Sequence, residues 1–442
     1  MTRRITPPRA RAVSVLREVL DRGARASALV TESAQDLSPE DAGLLRELVL
    51  GVLRWKSALD EEIQAASRAP LSRLAPDLLE ILEVALFQIR RLDRVPDYAA
   101  VDEAVRHARA CGGARAAGFV NAVLRKAQRT HPVPASEAAD SPERLALRFS
   151  HPTFLVARWW DRFGPERTRE ILQADNEPSP LDLMCNPRRT DRETLARALA
   201  SEGIATESST MSPLALTVRT GNPIRSPRFA AGEFAIQDVG SQCLPLLLPE
   251  GRTLVDLAAA PGGKSFASLA LGRSARAVSL DRSLERLRLL DQSRRRLGML
   301  EAMPVAGDAR VPPLAAGRFE RVLFDAPCSG TGTLRKNPEI RYRITPQAIA
   351  RLARAQEESL AAALDLLSPG GYLLYSTCSL EREENEDVVA RVAGAIAGVA
   401  PAEIAAPEGL ADFVSGSRFQ LLPSPTSDGF TAHLIRKASP RE

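Results

Sequence analysis

Thr253-Leu254-Val255-Asp256-Leu257-Ala258-Ala259-Ala260-Pro261-Gly262-Gly263-Lys264-Ser265 is the stretch that decides the fold. A short apolar run of strand character ends in small residues, and a helix follows. Small residues let the backbone approach a ligand closely, and the helix presents its N-terminus to it. From about residue 231 onward strands and helices alternate, the pattern of a mostly parallel sheet with helices on both faces. Strands are expected at 253–257, 276–280, 303–306, 320–325 and 371–376, with late strands near 419–422 and 431–436. Thr345 and Pro346 stand in the order of an N-cap and a first helical residue, so a helix starts there and stops before Ser368-Pro369-Gly370-Gly371.

Three cofactors compete for the loop geometry. A dinucleotide site needs G-x-G-x-x-G, which is absent. A phosphate-cradling Gly-Lys-Ser loop needs glycine five residues before Gly263, where Ala258 stands. S-adenosylmethionine fits best, because it has no pyrophosphate and needs small residues beside its amino acid and charged sulfonium. Asp281 ends the second strand, where a carboxylate can accept both ribose hydroxyls. Asp308 follows the third strand and can face the adenine amino group. Either aspartate alone reads as a turn or cap residue; in register with Asp256, the glycine loop and Asp325, a binding role is the better reading.

Two cysteines follow later strands. Cys328 lies in Asp325-Ala326-Pro327-Cys328-Ser329-Gly330-Thr331-Gly332, after Arg321-Val322-Leu323-Phe324, and Cys378 in Tyr375-Ser376-Thr377-Cys378-Ser379, after Tyr372-Leu373-Leu374-Tyr375. Residues just beyond strand C-termini project into the ligand crevice of an α/β sheet, and a thiolate is the strongest side-chain nucleophile near neutral pH. Carbon 5 of a pyrimidine is too electron-poor to attack a methyl donor. Addition of a thiolate to carbon 6 makes the ring an enamine-like nucleophile, and a base must then remove the carbon-5 proton so that the thiolate can leave. Asp325 can hydrogen-bond the ring nitrogen or exocyclic amine, and Lys264 can pair with Asp325 or lower a thiol pKa. Cys111, Cys185 and Cys243 read as inert small hydrophobes.

Residues 9–130 read as all-helical: Leu44, Leu45, Leu48, Val49, Val52 and Leu53 recur at helical spacing, as do Leu78, Leu82, Leu86 and Ile89. Cys111-Gly112-Gly113 breaks the pattern. Residues 130–142 are proline-punctuated and read as a linker. Residues 143–230 read as a small α+β domain, with a helix carrying Phe154, Val156, Trp159, Trp160 and Phe163 and strands near 181–184 and 214–218. The expected domains are therefore 1–130, 143–230 and 231–442. Residues 1–130 hold 21 Lys and Arg against 17 Asp and Glu, so the whole net charge of +4 lies there; this permits a nucleic-acid partner without requiring one. Five scattered cysteines without zinc-site spacing fit a reducing compartment and no metal. With no signal-peptide stretch and no run of about 18 apolar residues, a cytoplasmic protein that avoids membranes is expected.

At the residues quoted the chain resembles the RNA (cytosine-5) methyltransferases. The matching motifs are Ala258–Lys264, Asp325-Ala326-Pro327-Cys328 and Ser376-Thr377-Cys378, with Leu334–Arg341, Glu383-Glu384-Asn385-Glu386 and Asp428-Gly429-Phe430. The resemblance implies a Rossmann-like S-adenosylmethionine-dependent domain, with Cys378 as nucleophile and Cys328 assisting product release. It implies a cofactor site built from Ala258, Ala259, Ala260, Pro261, Gly262, Gly263, Lys264, Asp281, Asp308 and Asp325. Gly51–Arg54, Val95–Val105 and Phe119–Arg125 look like a NusB-type helical RNA-binding domain. That fusion resembles the RsmB (Sun/Fmu) type of bacterial 16S rRNA (cytosine(967)-C(5))-methyltransferases; the expected partner is 16S rRNA, before or during small-subunit assembly, and the expected state a monomer. Ala258 stands where the family often has Cys, and Thr431 where a second aromatic is usual. Arg54, Arg90, Arg91, Arg125 and Lys126 are candidate phosphate contacts, and Arg335, Lys336, Arg341 and Arg343, beside the Cys328 loop, are candidates to hold RNA at the site. The competing readings are a non-catalytic RNA-binding or antitermination factor, which intact Cys328, Cys378, Asp325 and Lys264 oppose, and a small-molecule methyltransferase, which leaves the helical domain and second cysteine without purpose.

Overall fold

Proline marks where several helices begin, because a first-turn residue loses nothing by lacking an N–H. In the computed structural model, which describes residues 6–130 and 141–439, Pro39 and Pro76 each open a helix. Most of the expected linker, residues 131–140, lies outside the described residues. The chain divides into two compact units, Met1–Pro178 with Leu334–Arg343, and Ser179–Thr333 with Ile344–Glu442.

Among the described residues the first unit is helical: α1 (Pro7–Arg22), α2 (Ala26–Ser33), α3 (Pro39–Ala66), α4 (Pro76–Arg91), α5 (Asp97–Arg129), α6 (Pro142–Arg148) and α7 (Thr153–Asn176). The leucine stripes do what their spacing implies. Leu45, Leu48, Val52 and Leu53 of α3 pack with Leu82 and Leu86 of α4 and with Val120 and Leu124 of α5 in one buried cluster. Non-helical backbone at Gly112 and Gly113 kinks α5 at the expected break. Cys111 beside it is exposed, which corrects its reading as an inert small hydrophobe, because the burial on which that reading rests is missing.

Leu334–Arg343 belongs to this helical unit although its sequence neighbours do not. Arg335 and Arg341 of this segment are buried inside the protein. Arg341 is buried; its Nη1 donates to the Arg54 carbonyl at 2.7 Å and to Asn176 Oδ1 at 2.8 Å, and its Nη2 to the Asp175 carbonyl at 2.9 Å. Arg54 is buried too, donating to the Arg335 carbonyl at 2.8 and 3.1 Å, and burial lowers its pKa to about 10. Arg343 reaches the Ala24 carbonyl at 3.1 Å and also the Gly23 carbonyl. Arg335 is buried. The expectation that Arg54, Arg335 and Arg341 hold RNA is therefore overturned: all three are buried, and the Arg54 and Arg341 guanidiniums donate to carbonyls of the protein, while Arg343 stays exposed. Arg90 is likewise engaged by Glu62 at 2.8 Å and by two carbonyls, Arg91 stacks on Trp55, and Lys126 donates to the Ala65 carbonyl at 2.9 Å.

The second unit carries two sheets. A four-stranded antiparallel sheet has β1 (Leu181–Cys185), β2 (Ala205–Ser208), β3 (Ala215–Thr220) and β4 (Phe234–Ile236) in the order β2-β3-β1-β4, with α8 (Arg192–Ser201) adjoining and the short α9 (Pro227–Ala230) and α10 (Val239–Cys243) flanking β4. The larger sheet comprises β5 (Thr253–Leu257), β6 (Arg276–Asp281), β7 (Ala302–Ala306), β8 (Phe319–Asp325), β9 (Leu367–Thr377), β10 (Val399–Pro401), β11 (Val414–Ser415), β12 (Arg418–Leu421) and β13 (Phe430–Lys437). Its order is β11-β12-β13-β9-β8-β5-β6-β7, with β10 paired to β13. The pairs from β9 through β8, β5 and β6 to β7 are parallel; β13 joins β9 antiparallel. Helices α11 (Gly263–Ala270), α12 (Leu284–Leu297), α13 (Pro346–Asp365) and α14 (Glu386–Ala395) connect the strands. The fold is thus an all-α part, a small antiparallel α+β part and a mostly parallel α/β part. Strands β2, β4, β10 and β11 carry no sequence signal strong enough to foresee: two to four residues cannot establish an alternation.

A planar fork is needed to serve Arg54, Asn176 and Asp175 at once, and an ammonium cannot replace it. Arg341→Lys is expected to lower unfolding free energy by about 2–3 kcal/mol, read by urea titration; a change within about 0.5 kcal/mol would contradict the role given to this guanidinium.

Candidate active site

Strand order reverses between β5 and β8, since the chain runs from β5 outward through β6 and β7 before returning to β8. The crevice beyond the C-terminal ends of strands at such a switch point is where α/β sheets bind ligands. The loop after β5 enters it. Ala258 adopts a left-handed conformation (φ +59°), which costs a non-glycine residue of order 1 kcal/mol. Gly262 sits at φ +105°, and a Cβ there would meet the Phe266 ring at 2.6 Å, so only glycine serves. Beneath the loop, buried Asp256 accepts the Ser265 hydroxyl at 2.7 Å, and burial pushes its pKa up to about 6. Asp281 ends β6 as expected: its carboxylate accepts the Ala260 N–H at 3.1 Å and the Ser283 N–H at 2.9 Å, with Arg286 3.3 Å away. Asp308 differs. Its carboxylate is clasped by Arg310 of its own turn at 2.7 Å, which draws its pKa down to about 2.

These residues suit S-adenosylmethionine: small residues line the loop, a carboxylate stands at the end of β6, and α11 starts at Gly263. The buried side-chain amide of Gln237, 3.2 Å from where a Gly263 Cβ would be, has no hydrogen-bond partner.

On the other side of the switch, β8 and β9 pair with Asp325 beside Ser376. The Ser376 hydroxyl donates to Asp325 Oδ1 at 2.9 Å, and Lys264 Nζ lies 2.5 Å from Asp325 Oδ2. Burial would lower the Lys264 pKa, but Asp325 and Asp256 outweigh it and raise it. Beyond this pair the two sulfurs meet: Cys328 Sγ lies 3.1 Å from Cys378 Sγ. The hydrogen bond with Cys378 and burial together hold the Cys328 pKa well above an ordinary thiol's. Cys185 and Cys243 are buried far from such company, and burial raises both, Cys185 to about 12.

The residues that hold the two cysteine loops were only partly visible in the sequence. Glu384 is fully buried and joins both loops: it accepts the Ser329 N–H at 2.9 Å, the Ser379 hydroxyl at 2.6 Å and the Ser329 hydroxyl. Gln356 of α13 bridges Glu384 at 3.0 Å and the Pro327 carbonyl at 2.9 Å. Asn385 accepts the Thr377 hydroxyl at 2.7 Å and donates to the Ser379 carbonyl at 3.0 Å. Thr431, unusual for the motif, donates its hydroxyl to that same carbonyl at 3.2 Å, a bond an aromatic ring could not make. Glu384 and Asn385 stood in the quoted motif without a role, and Gln356 had no signal beyond its place on a helix. Among the described residues no cluster of His, Cys, Asp and Glu could hold a metal, and no helix is long and apolar enough to cross a membrane.

Comparison with known proteins finds relatives for each of the three parts of the chain. Residues 244–435 match the family described as 16S rRNA methyltransferase RsmB/F, residues 6–129 the NusB family, and residues 151–225 a ferredoxin-like domain of RsmF/B-like methyltransferases. The chain is 35% identical to a probable ribosomal RNA small subunit methyltransferase B of Bacillus subtilis over 91% of this chain and 92% of that one. It is 34% identical to ribosomal RNA small subunit methyltransferase B of Vibrio cholerae over 85% and 87%. A crystal structure of a methyltransferase homolog protein from Pyrococcus horikoshii is 26% identical and superposes with a TM-score of 0.56, covering 68% of this chain and 99% of that one.

The elevated pKa of Asp256 has a consequence for stability. Folded protein keeps this proton up to about pH 6, whereas an unfolded chain releases it near pH 4. The folded state therefore binds more protons in that window, and this group's contribution to stability falls as pH rises through it. Asp256→Asn cannot titrate. Relative to wild type, its unfolding free energy is expected to rise by about 2–3 kcal/mol from pH 4 to pH 7, and a difference constant with pH would contradict the assignment.

Proposed function

Because the chain belongs to the 16S rRNA methyltransferase RsmB/F family, we propose that it methylates carbon 5 of a cytosine in 16S rRNA through a covalent bond from Cys378 to carbon 6. The observation that carries this reading is the approach of Cys328 and Cys378 to 3.1 Å beside the Lys264–Asp325 pair. When bound at the Ala258–Lys264 loop and Asp281, S-adenosylmethionine supplies the methyl group that carbon 5 takes up. Apart from the water that takes the carbon-5 proton, the rest of the chemistry falls to side chains of this chain.

Cys378 adds as thiolate to carbon 6, with the Lys264 ammonium close enough to interact with its charge. Asp325, steadied by Ser376 and Lys264, faces the ring nitrogen or exocyclic amine and stabilises the adduct. Once carbon 5 has been alkylated it loses its proton to water, the carbon 6–sulfur bond breaks, and the electron pair returns to Cys378. Cys328 keeps its own proton and hydrogen-bonds the departing thiolate, which is how it assists release. A base reaches strand-end sulfurs only when unstacked, which favours single-stranded or loop RNA. The helical unit would bind the RNA, before or during small-subunit assembly, through exposed residues such as Arg125 rather than through the buried arginines.

Cys378→Ala is expected to abolish carbon-5 methylation of 16S rRNA, read by bisulfite sequencing, while cofactor binding stays intact; retained methylation would refute the nucleophile. Cys328→Ala is expected to accumulate a protein–RNA species that survives a denaturing gel, and finding only free RNA would refute its role in release.

A further inference from the structure

Gln237 follows β4 directly, and its backbone is held on both sides. Its N–H donates to the Asp182 carbonyl at 3.0 Å, and its carbonyl accepts from the Gln242 side chain at 2.8 Å. Asp182 is itself fixed, accepting the Thr217 hydroxyl at 2.6 Å and the Val239 N–H at 3.0 Å. On this rigid support the Gln237 side chain is only 8% exposed, yet neither Oε1 nor Nε2 has a hydrogen-bond partner. A buried amide left unsatisfied at both ends is costly and rare in native proteins. Its place in the fold explains what it awaits. A Cβ on Gly263 would stand 3.2 Å from the Gln237 Cδ and 3.3 Å from its Nε2, so the amide lies against the first residue of α11. The first N–H groups of a helix have no partner within it and favour an anion.

We propose that Gln237 is a cofactor-binding residue whose side-chain amide holds the α-amino-acid end of S-adenosylmethionine at the N-terminus of α11. This rests on the cofactor assigned under the proposed function and extends it to a residue outside the loop motif. An amino-acid zwitterion needs an acceptor for its ammonium and donors for its carboxylate, and a carboxamide offers both in one group. The charged groups nearby are committed elsewhere. Lys264 pairs with Asp325 at 2.5 Å, and Asp256 faces Ser265 beneath the loop. Oε1 is left for the ammonium, while Nε2 and the helix N-terminus share the carboxylate.

Two nucleosides separate this role from mere packing. S-adenosylhomocysteine and 5′-deoxy-5′-methylthioadenosine share adenine, ribose and a thioether, and only the first carries the amino acid. In calorimetry with the full chain, Gln237→Ala is expected to weaken S-adenosylhomocysteine binding by about tenfold or more and to leave methylthioadenosine binding unchanged. Gln237→Glu, which sets a carboxylate against a carboxylate, is expected to weaken the first still further. Equal losses for both nucleosides, or no loss for either, would overturn the proposal; so would a folded Gln237→Glu protein that binds both like wild type should the alanine variant fail to fold. Wild-type protein that binds neither nucleoside would instead bring down the cofactor reading on which the proposal stands.

Discussion

Parallel pairing of β8 with β9, in the register that sets Asp325 beside Ser376, is the constraint on which the site depends. Side chains alternate along a strand, and a slip of one residue would send every one of them to the other face. Here the ladder continues past the strand ends. The Ala326 N–H donates to the Ser376 carbonyl at 2.8 Å, and the Gly332 N–H to the Cys378 carbonyl at 2.9 Å. Gly429 then donates to the Gly332 carbonyl at 2.7 Å, and a Cβ on Gly332 would press within 2.6 Å of the Gly429 carbonyl oxygen. Three loops are stacked backbone on backbone, and the sulfurs are brought together as a result.

Buried polar groups secure that stack. Glu384 reaches Ser329 and Ser379, the residues that follow the two cysteines, so neither loop can shift without stranding a polar oxygen in the interior. Such a site suits covalent chemistry, in which a nucleophile must be held within a fraction of an ångström of its productive position. The side chains that meet the substrate are then few, and the surrounding network serves chiefly to keep them still.

Much of this is legible in the sequence. Residues 253–257 are a strand as read, and the Thr345-Pro346 cap opens α13 with the Thr345 hydroxyl accepting the Ala348 N–H. Periodicity and turn chemistry are local, and local signals survive folding. What failed was charge. Arg335 and Arg341 look in sequence like part of a basic patch beside the Cys328 loop, but both are buried in the helical unit, where Arg341 meets carbonyls of residues far away in sequence. A guanidinium facing a phosphate and one facing a buried carbonyl are the same letters; only the tertiary fold separates them. For the same reason Gln356 and Gln237 were invisible, since a single amide on a helix or after a strand carries no period.

Of the two cysteines, Cys378 is proposed to attack and Cys328 is not. A 16S rRNA fragment carrying 5-fluorocytidine at the target blocks the proton loss that frees the enzyme, so the attacking residue stays joined to the base. Digestion of the trapped complex and mass spectrometry of the peptides read the junction directly. The expected result is the modified nucleotide on the peptide containing Cys378 and an unmodified Cys328. A nucleotide attached to Cys328, or no covalent junction at all, would contradict the account.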